Sequence, residues 1–67
     1  MYNYGQLPQE FYHNTNNRVL MTKEQADEII SNHSGWAIIG EVMYYIRTRP
    51  CDNGETEMRL EQAGGLD

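Results

Sequence analysis

The sequence predicts a small α+β domain in which one helix packs on one face of a single-layer sheet, in the order strand, helix, strand, strand. Three observations lead to this prediction: a capping motif at Thr22, an alternation of apolar residues after Gly35, and a turn signal between residues 50 and 54. The sheet is expected to be antiparallel or mixed, because the helical crossover between the first two strands is long enough for parallel pairing. The 67 residues make one domain at most, and at this size stability is marginal without a disulfide, a metal or a partner chain.

Residues 1–17 are predicted to form an irregular N-terminal arm. The segment is rich in Asn, Gln and Tyr, contains Pro8, and shows no helical or strand period. Residues 13–17 have the composition of a turn or loop. Four aromatic side chains of the arm are available to pack on the rest of the protein: Tyr2, Tyr4, Phe11 and Tyr12.

The core is predicted to begin with a short apolar strand at residues 18–21 and to extend to residue 62, before a frayed tail at 63–67. The strand ends at Thr22, which fits a helix N-cap. Gln25 stands three residues later and completes a capping box. A helix is therefore predicted to start at about residue 23.

This helix is predicted to bury a narrow apolar stripe and to end near residue 33, because Gly35 is a natural C-terminal stop. The stripe consists of residues at helical spacing: Ala26, Ile29 and Ile30. Three acidic side chains also lie together on the helix: Glu24, Asp27 and Glu28. Their ordinary explanation is a solvated face, and the alternative is a surface that recognises a basic partner.

The segment after the helix shows both a helical and a strand period. A second helix there would suggest a helix-turn-helix DNA-binding unit, but such a helix would present apolar groups to the bases. The turn signal favours strands: folding the chain about a loop at 50–54 places Arg49 opposite Glu55 and Ile46 opposite Met58. Opposite charges and apolar groups then face each other, so a hairpin is predicted.

The two faces of this sheet are predicted to differ. Even-numbered residues share the face that the helix covers: Trp36, Ile38, Val42, Tyr44, Ile46 and Thr48. Odd-numbered residues form a mixed apolar and charged face, which includes Ile39, Met43, Tyr45 and Arg47. Gly40 marks a bulge, a bend or a tight turn that divides the segment in two. Since one helix covers one face only, either the N-terminal arm or another protein must cover the odd face.

The composition argues against several classes of function. Ten acidic and five basic residues give a net charge of −5, which disfavours general affinity for nucleic acids. No apolar run reaches the roughly 18 residues of a membrane span, and the N-terminus lacks the basic and apolar regions of a signal peptide. Cys51 is the single cysteine, so no internal disulfide forms and a cytoplasmic location is expected.

No pattern of side chains in the sequence predicts catalysis or metal binding. His13, His33 and Cys51 are the only soft metal ligands, and they lack the paired spacing of a zinc site. Cys51 lies beside Asp52 and not in the electropositive setting that activates a thiol. We therefore expect no cofactor, no metal and no enzymatic activity.

The sequence thus predicts a non-enzymatic intracellular protein-binding module, an inhibitor or regulator of the accessory type that phages and mobile elements encode. The partner is expected to be a larger protein with a basic or apolar surface, nucleic-acid-processing proteins included. The small core also favours a homodimer through the odd face or a strand edge. The predicted contact residues lie on two surfaces: Ile39, Met43, Tyr45 and Arg47 on the sheet, and Glu24, Asp27 and Glu28 on the helix.

The alternative function is a small nucleic-acid-binding module that uses an arginine–tyrosine face of the sheet. Tyr45 would stack on bases, and Arg47, Arg49 and Arg59 would contact phosphates. The predicted register pairs each arginine with a glutamate or a tyrosine, which neutralises much of this positive charge.

Overall fold

The computed structural model describes residues 7–63, and within them the sheet has four strands, all antiparallel to their neighbours. The elements are α1 (Gln9–His13), β1 (Val19–Met21), α2 (Lys23–His33), β2 (Trp36–Ile39), β3 (Val42–Pro50) and β4 (Thr56–Gln62). The strand order across the sheet is β1-β4-β3-β2, so the first two strands lie at opposite edges and do not pair. The predicted α+β class, with a helix packed on a single-layer sheet, is confirmed, and the sheet has one strand more than the predicted order.

Helix α2 begins and ends where the sequence predicts. Thr22 Oγ1 accepts a hydrogen bond from the Gln25 N–H, and the Thr22 N–H donates to Gln25 Oε1, both at 3.1 Å. At the other end Ser34 adopts the left-handed conformation, and the Gly35 N–H donates to the Ile30 carbonyl at 3.1 Å. The predicted apolar stripe contacts the core: Ala26, Ile29 and Ile30.

A two-residue turn at Gly40 and Glu41 separates β2 from β3. Both residues have positive φ angles, 59° and 68°, as in a type I′ turn. The backbone twist of this turn type matches the twist of the two strands that it joins. Ile39 therefore pairs with Val42, and paired residues share a face of the sheet. Of the three alternatives that Gly40 indicates, a bulge, a bend or a tight turn, the structure has the tight turn. The turn changes which residues of β2 face the helix.

The prediction that even-numbered residues share the helix-covered face is correct for β3 and wrong for β2. On β3, Ile46 is buried. On β2, Ala37 is buried and Ile39 packs against the core, whereas Trp36 and Ile38 are exposed. The physical reason is the turn: it pairs an odd residue with an even one, so the buried positions change from odd to even between the strands.

The hairpin of β3 and β4 is confirmed, but its register differs from the predicted one by two residues. Arg49 pairs with Glu57 and not with Glu55. The Cys51 N–H donates to the Glu55 carbonyl at 2.7 Å and closes the loop. Because the shift is by two residues, every side chain of the hairpin stays on its predicted face.

The shift brings Pro50 into β3, where a proline has no N–H for a ladder hydrogen bond. Pro50 lies in β3, paired with Thr56, although the sequence analysis places it in the loop. Since the next pair, Cys51 and Glu55, carries the hydrogen bond, the Pro50 nitrogen points away from β4. Among the described residues β2 reaches only Tyr45 of β3, so β3 is an edge strand at Pro50 and no ladder bond is lost.

The core lies between the sheet and α2 and includes part of the N-terminal segment. Its buried apolar residues are Leu7, Phe11, Met21, Ala26, Ala37, Ile46, Met58 and Leu60. Phe11 is fully buried, and the Tyr44 hydroxyl donates to Thr15 Oγ1 at 3.4 Å. The prediction of an irregular arm over residues 1–17 is therefore wrong for Gln9–His13, where a turn of helix carries Phe11 into the core.

The ends of the chain extend beyond the described residues. Tyr2 and Tyr4, which the sequence analysis names as packing candidates, lie outside them, as does the predicted frayed tail except for Ala63. The Ala63 N–H donates to the Met43 carbonyl at 2.9 Å, which continues the ladder between β3 and β4 by one residue.

Neighbouring residues of β3 are expected to respond differently to the same substitution. Ile46→Asp places a charge in the core and is expected to lower the free energy of unfolding by at least about 3 kcal/mol. Arg47→Asp changes an exposed residue and removes one surface ion pair, at a cost of about 1 kcal/mol. Urea denaturation followed by circular dichroism measures both. Equal losses would contradict the observed faces of β3.

Glu41 is expected to limit stability, because it holds a left-handed backbone that costs a residue with a side chain about 1–2 kcal/mol. Glu41→Gly removes this cost and is expected to raise the free energy of unfolding by about 0.5–1 kcal/mol. Glu41→Ala is the control, because it removes the charge but keeps the Cβ atom and the strain. A similar gain from both variants would show that the charge, and not the backbone, is responsible.

Candidate protein-binding face

The sheet face opposite α2, which we call the open face, carries the side chains that the core does not use. It is formed by alternate residues of all four strands: Leu20 of β1, Glu57, Arg59 and Glu61 of β4, Met43, Tyr45, Arg47 and Arg49 of β3, and Trp36 and Ile38 of β2. The described N-terminal segment packs on the other side through Leu7 and Phe11, so it does not cover this face. The open face therefore divides into an apolar half and a charged half.

The apolar half lies at the β2 edge and is called here the apolar patch: Trp36, Ile38, Met43 and Tyr45. Trp36 pairs with Tyr45, and Ile38 pairs with Met43, so the four side chains lie next to one another on the same face of the neighbouring strands β2 and β3. Trp36 is 44% exposed, Ile38 56% and Tyr45 42%. Large apolar side chains gathered on one exposed surface mark a site of interaction.

The charged half lies on β3 and β4. Arg47 pairs directly with Arg59, an arrangement of like charges that is unfavourable on its own. Two glutamates offset it: Arg47 Nε lies 2.9 Å from Glu61 Oε1, and Arg49 Nε lies 2.9 Å from Glu57 Oε1. Arg59 has no ion pair among the described residues, so its guanidinium is the group of this half that is available to a partner.

Arg47 connects the two halves. Its guanidinium lies 5.2 Å from the centre of the Tyr45 ring while its Nε is bonded to Glu61, the residue that pairs with Tyr45 across the strands. The sequence analysis instead places Arg59 opposite Tyr45, a consequence of the register difference. A cation on an exposed ring contributes about 0.5–1 kcal/mol. Two contacts thus hold Arg47 and the Tyr45 ring in one arrangement.

The charge of the open face differs in sign from that of the whole chain. Three arginines and two glutamates give this face a net charge of +1, whereas the chain carries −5. The remaining residues therefore carry −6 in total. The open face is therefore net positive on an acidic protein, which bears on the partner it can attract.

The structure brings together three of the four predicted sheet contacts: Met43, Tyr45 and Arg47 lie side by side on the open face. Ile39 does not, because the turn at Gly40 places it on the core side of the sheet, where it is half-buried against the core; its predicted place on the same face as the other three is wrong, and its role as a contact residue stays a prediction. Trp36 and Ile38 are surface residues that the alternation of apolar residues alone assigns to the helix-covered face. Recognising a two-residue turn at Gly40 would have found them, since such a turn reverses the parity of β2.

The predicted helix contacts lie on a different surface. Glu24, Asp27 and Glu28 are exposed on α2, which packs against the core side of the sheet. Lys23 Nζ lies 2.9 Å from Asp27 Oδ2, one helical turn away. The hydrogen bond and charge of Asp27 raise the pKa of Lys23 above its ordinary value. This is the usual pattern of a solvated helix face, and Asp27 already has a partner.

The described residues offer little for metal or nucleophilic chemistry. No three His, Cys, Asp or Glu side chains among them lie close enough together to hold a metal ion. Cys51 is half-buried in the loop after β3 as a free thiol. His33 Nε2 is buried without a hydrogen-bond partner in the described part of the chain. These two residues lie on separate elements of the fold: His33 is the last residue of α2, and Cys51 lies in the loop after β3.

Comparison of the chain with protein-family models, with curated proteins and with solved structures finds no match. Within residues 7–63, no helix has the length and apolar character needed to cross a membrane.

Trp36 is the single tryptophan of the chain, so its fluorescence reports on the apolar patch. Because its side chain is 44% exposed on the open face, we expect acrylamide to quench it readily in the native protein, at a rate below that of the urea-denatured chain but similar to that of an exposed control. The measurement is a quenching titration at low protein concentration. As the control, Tyr12→Trp in a Trp36→Phe background places an indole on exposed α1. Strong protection of Trp36 with an accessible control would mean that the patch is covered.

Proposed function

We propose that this protein is a non-enzymatic module that binds another protein through its open face and acts in the cytoplasm as an inhibitor or regulator of that larger protein. One observation carries the proposal: the apolar patch stands exposed on a sheet face that neither α2 nor the described N-terminal segment covers. A chain of 67 residues has few large apolar side chains. Leaving Trp36, Ile38 and Tyr45 outside the core forgoes burial energy that a small domain needs.

The residue types of the open face suit recognition of a protein. Trp, Tyr and Arg are the residues that most often dominate binding energy at interfaces. Here Trp36 and Tyr45 are adjacent, and Arg47 is held over the Tyr45 ring at 5.2 Å. An anchor that is already ordered loses less side-chain entropy on binding. The charged half forms a polar rim beside the apolar patch, which is the usual anatomy of an interface.

The charge of the open face indicates what the partner presents. A surface of net charge +1, with Arg59 unpaired among the described residues, suits an apolar surface flanked by carboxylates. A basic partner would be attracted instead to α2, where Glu24 and Glu28 are exposed. We place the contact on the sheet, because solubility is sufficient to explain the helix carboxylates, whereas it does not explain the exposed apolar side chains.

A second candidate function is binding of single-stranded nucleic acid on the same face. The observation in its favour is the exposed aromatic pair of Trp36 and Tyr45 next to Arg47 and Arg59, since bases stack on such rings and arginines contact phosphates. Two observations weigh against it: Arg47 and Arg49 are bonded to glutamates, and the chain carries −5 overall.

The test begins with the immobilised chain, which is used to capture and identify its partner from the native host. Binding kinetics of the purified pair then separate the two surfaces. Tyr45→Ala and Trp36→Ala are each expected to raise the dissociation rate by roughly tenfold or more, nearly independently of salt, as buried anchors do. Tyr12→Ala is the matched control: its side chain is 52% exposed on α1, away from the open face, and its loss should leave binding unchanged.

The charge-neutralised variant of α2, Glu24→Gln with Asp27→Asn and Glu28→Gln, gives the opposite signature if the helix is the contact. Its effect would fall on the association rate and would shrink at high salt, where screening shortens the reach of exposed charges. If this variant weakens binding and the Tyr45 and Trp36 variants do not, the proposed site is wrong. Salt-sensitive binding of generic single-stranded DNA or RNA, lost in Tyr45→Ala, would establish the nucleic-acid function instead.

A further inference from the structure

The two edges of the sheet differ in how they meet solvent. β1 has three residues, Val19–Met21, and charged residues stand close to both of its ends, Arg18 and Lys23. β2 has four residues, Trp36–Ile39, and all of them are apolar. Proteins usually protect a sheet edge with charges, prolines or bulges, because its free N–H and C=O groups pair readily with another strand. β2 contains none of these protections and, unlike β1, has no charged residue directly next to it; the nearest is Glu41, two residues beyond its end in the turn.

The register identifies which backbone groups of β2 are free. In a two-residue hairpin the pair that closes the turn, here Ile39 and Val42, exchanges backbone hydrogen bonds. Along an antiparallel ladder, hydrogen-bonded pairs alternate with pairs that are not hydrogen-bonded to each other. Gly35 and Ile46 form a hydrogen-bonded pair, as this alternation requires, since the Gly35 carbonyl accepts from the Ile46 N–H at 2.9 Å. The N–H and C=O groups of Trp36 and Ile38 therefore point outward. No turn, loop or side-chain hydrogen bond among the described residues reaches them.

We propose that β2 pairs with β2 of a second copy, antiparallel, about a two-fold axis at Ala37. The free groups of Trp36 in one copy then meet those of Ile38 in the other, and the symmetric pair repeats the contact. Four hydrogen bonds form, and two four-stranded sheets become one sheet of eight strands. The hydrogen bonds of this dimer use the edge of the sheet, whereas the partner proposed above contacts side chains of the open face; Trp36 and Ile38 take part in both.

Three features of β2 favour a second copy over a strand from another protein. The two outward-facing residues are placed symmetrically about Ala37, so the edge is complementary to itself. On the core side of the sheet, Ala37 of one copy lies opposite Ala37 of the other, so only the small methyl side chains lie at the axis. On the open face Trp36 of one copy lies beside Ile38 of the other, which joins the two apolar patches into one surface. A small domain also gains most from such added burial.

The first test changes the edge without changing the ladder between β2 and β3. Ile38→Pro removes an outward N–H, and the matched control Leu20→Pro removes an outward N–H from the other edge. Sedimentation velocity from low to high micromolar concentration is expected to show reversible dimers for the parent chain and for Leu20→Pro. For Ile38→Pro the dissociation constant should rise by roughly tenfold or more, because two hydrogen bonds are lost per dimer.

A second pair of variants covers the case in which proline disturbs the strand. Ile38→Lys and Leu20→Lys place the same charge at the two edges on the same face, and only the first should separate the dimer. Circular dichroism and thermal melting of each variant confirm that it is folded.

The second test measures whether residue 37 of one copy lies opposite residue 37 of the other. In the background Cys51→Ser, Ala37→Cys places two thiols at the axis, where Cα atoms of a non-hydrogen-bonded antiparallel pair lie about 4.5 Å apart. This separation allows a disulfide. Mild oxidation should give a covalent dimer of Ala37→Cys and none of the control Leu20→Cys.

The outcomes are distinct. Loss of the dimer in both Ile38 variants only, together with the disulfide at residue 37, supports pairing through β2. A parent chain that stays monomeric at high micromolar concentration overturns the proposal. So does a dimer that survives both Ile38 variants without forming the disulfide, because it would use another surface. Because Trp36 and Ile38 belong to both surfaces, Tyr45→Ala separates the two proposals: Tyr45 lies on β3 and not on the edge strand, so its loss should weaken partner binding and leave the dimer intact. Failure of partner binding to respond to Tyr45→Ala and failure of the chain to dimerise are therefore distinguishable results.

Discussion

The two-residue turn at Gly40 and Glu41 is the constraint on which the surface of this protein depends. Because the turn pairs Ile39 with Val42, residues of opposite parity face the core on the two strands it joins. Trp36 and Ile38 are placed on the open face as a result. Glu41 accepts a left-handed backbone to make this possible.

The second constraint is that one helix covers one face of a sheet. The described part of the N-terminal segment, from Leu7 onward, does not relieve it, because Phe11 lies in the core and not on the open face. Among residues 7–63 nothing covers the other face of the four strands, which is half apolar and half charged. The apolar half includes Trp36 and Ile38 of the edge strand β2, the two residues whose backbone N–H and C=O groups point outward. A surface for another protein and an edge for a second copy thus lie next to each other.

Electrostatic contacts organise the open face more than they stabilise it. The ion pairs of Arg47 with Glu61 and of Arg49 with Glu57 are on the surface, where such pairs contribute little. Their effect is to offset the direct pairing of Arg47 with Arg59 and to keep Arg47 over the Tyr45 ring. Register decides the contacts between β3 and β4, since a strand shifted by two residues keeps its faces but changes every partner. The contact of Arg47 with the Tyr45 ring lies within β3 and does not depend on the register.

The sequence by itself determined the α+β class, the bounds of α2 and the hairpin of β3 and β4, because capping boxes, apolar stripes and turn signals act between residues close in the chain. It also determined that Met43, Tyr45 and Arg47 share one face. Only the tertiary structure decided the parity of β2, the register beyond Pro50 and the burial of Phe11. Each of these depends on a contact between distant segments: β3 tolerates Pro50 because β2 ends before it, and Phe11 is buried because α2 and the sheet leave room for it. Local patterns do not encode such contacts.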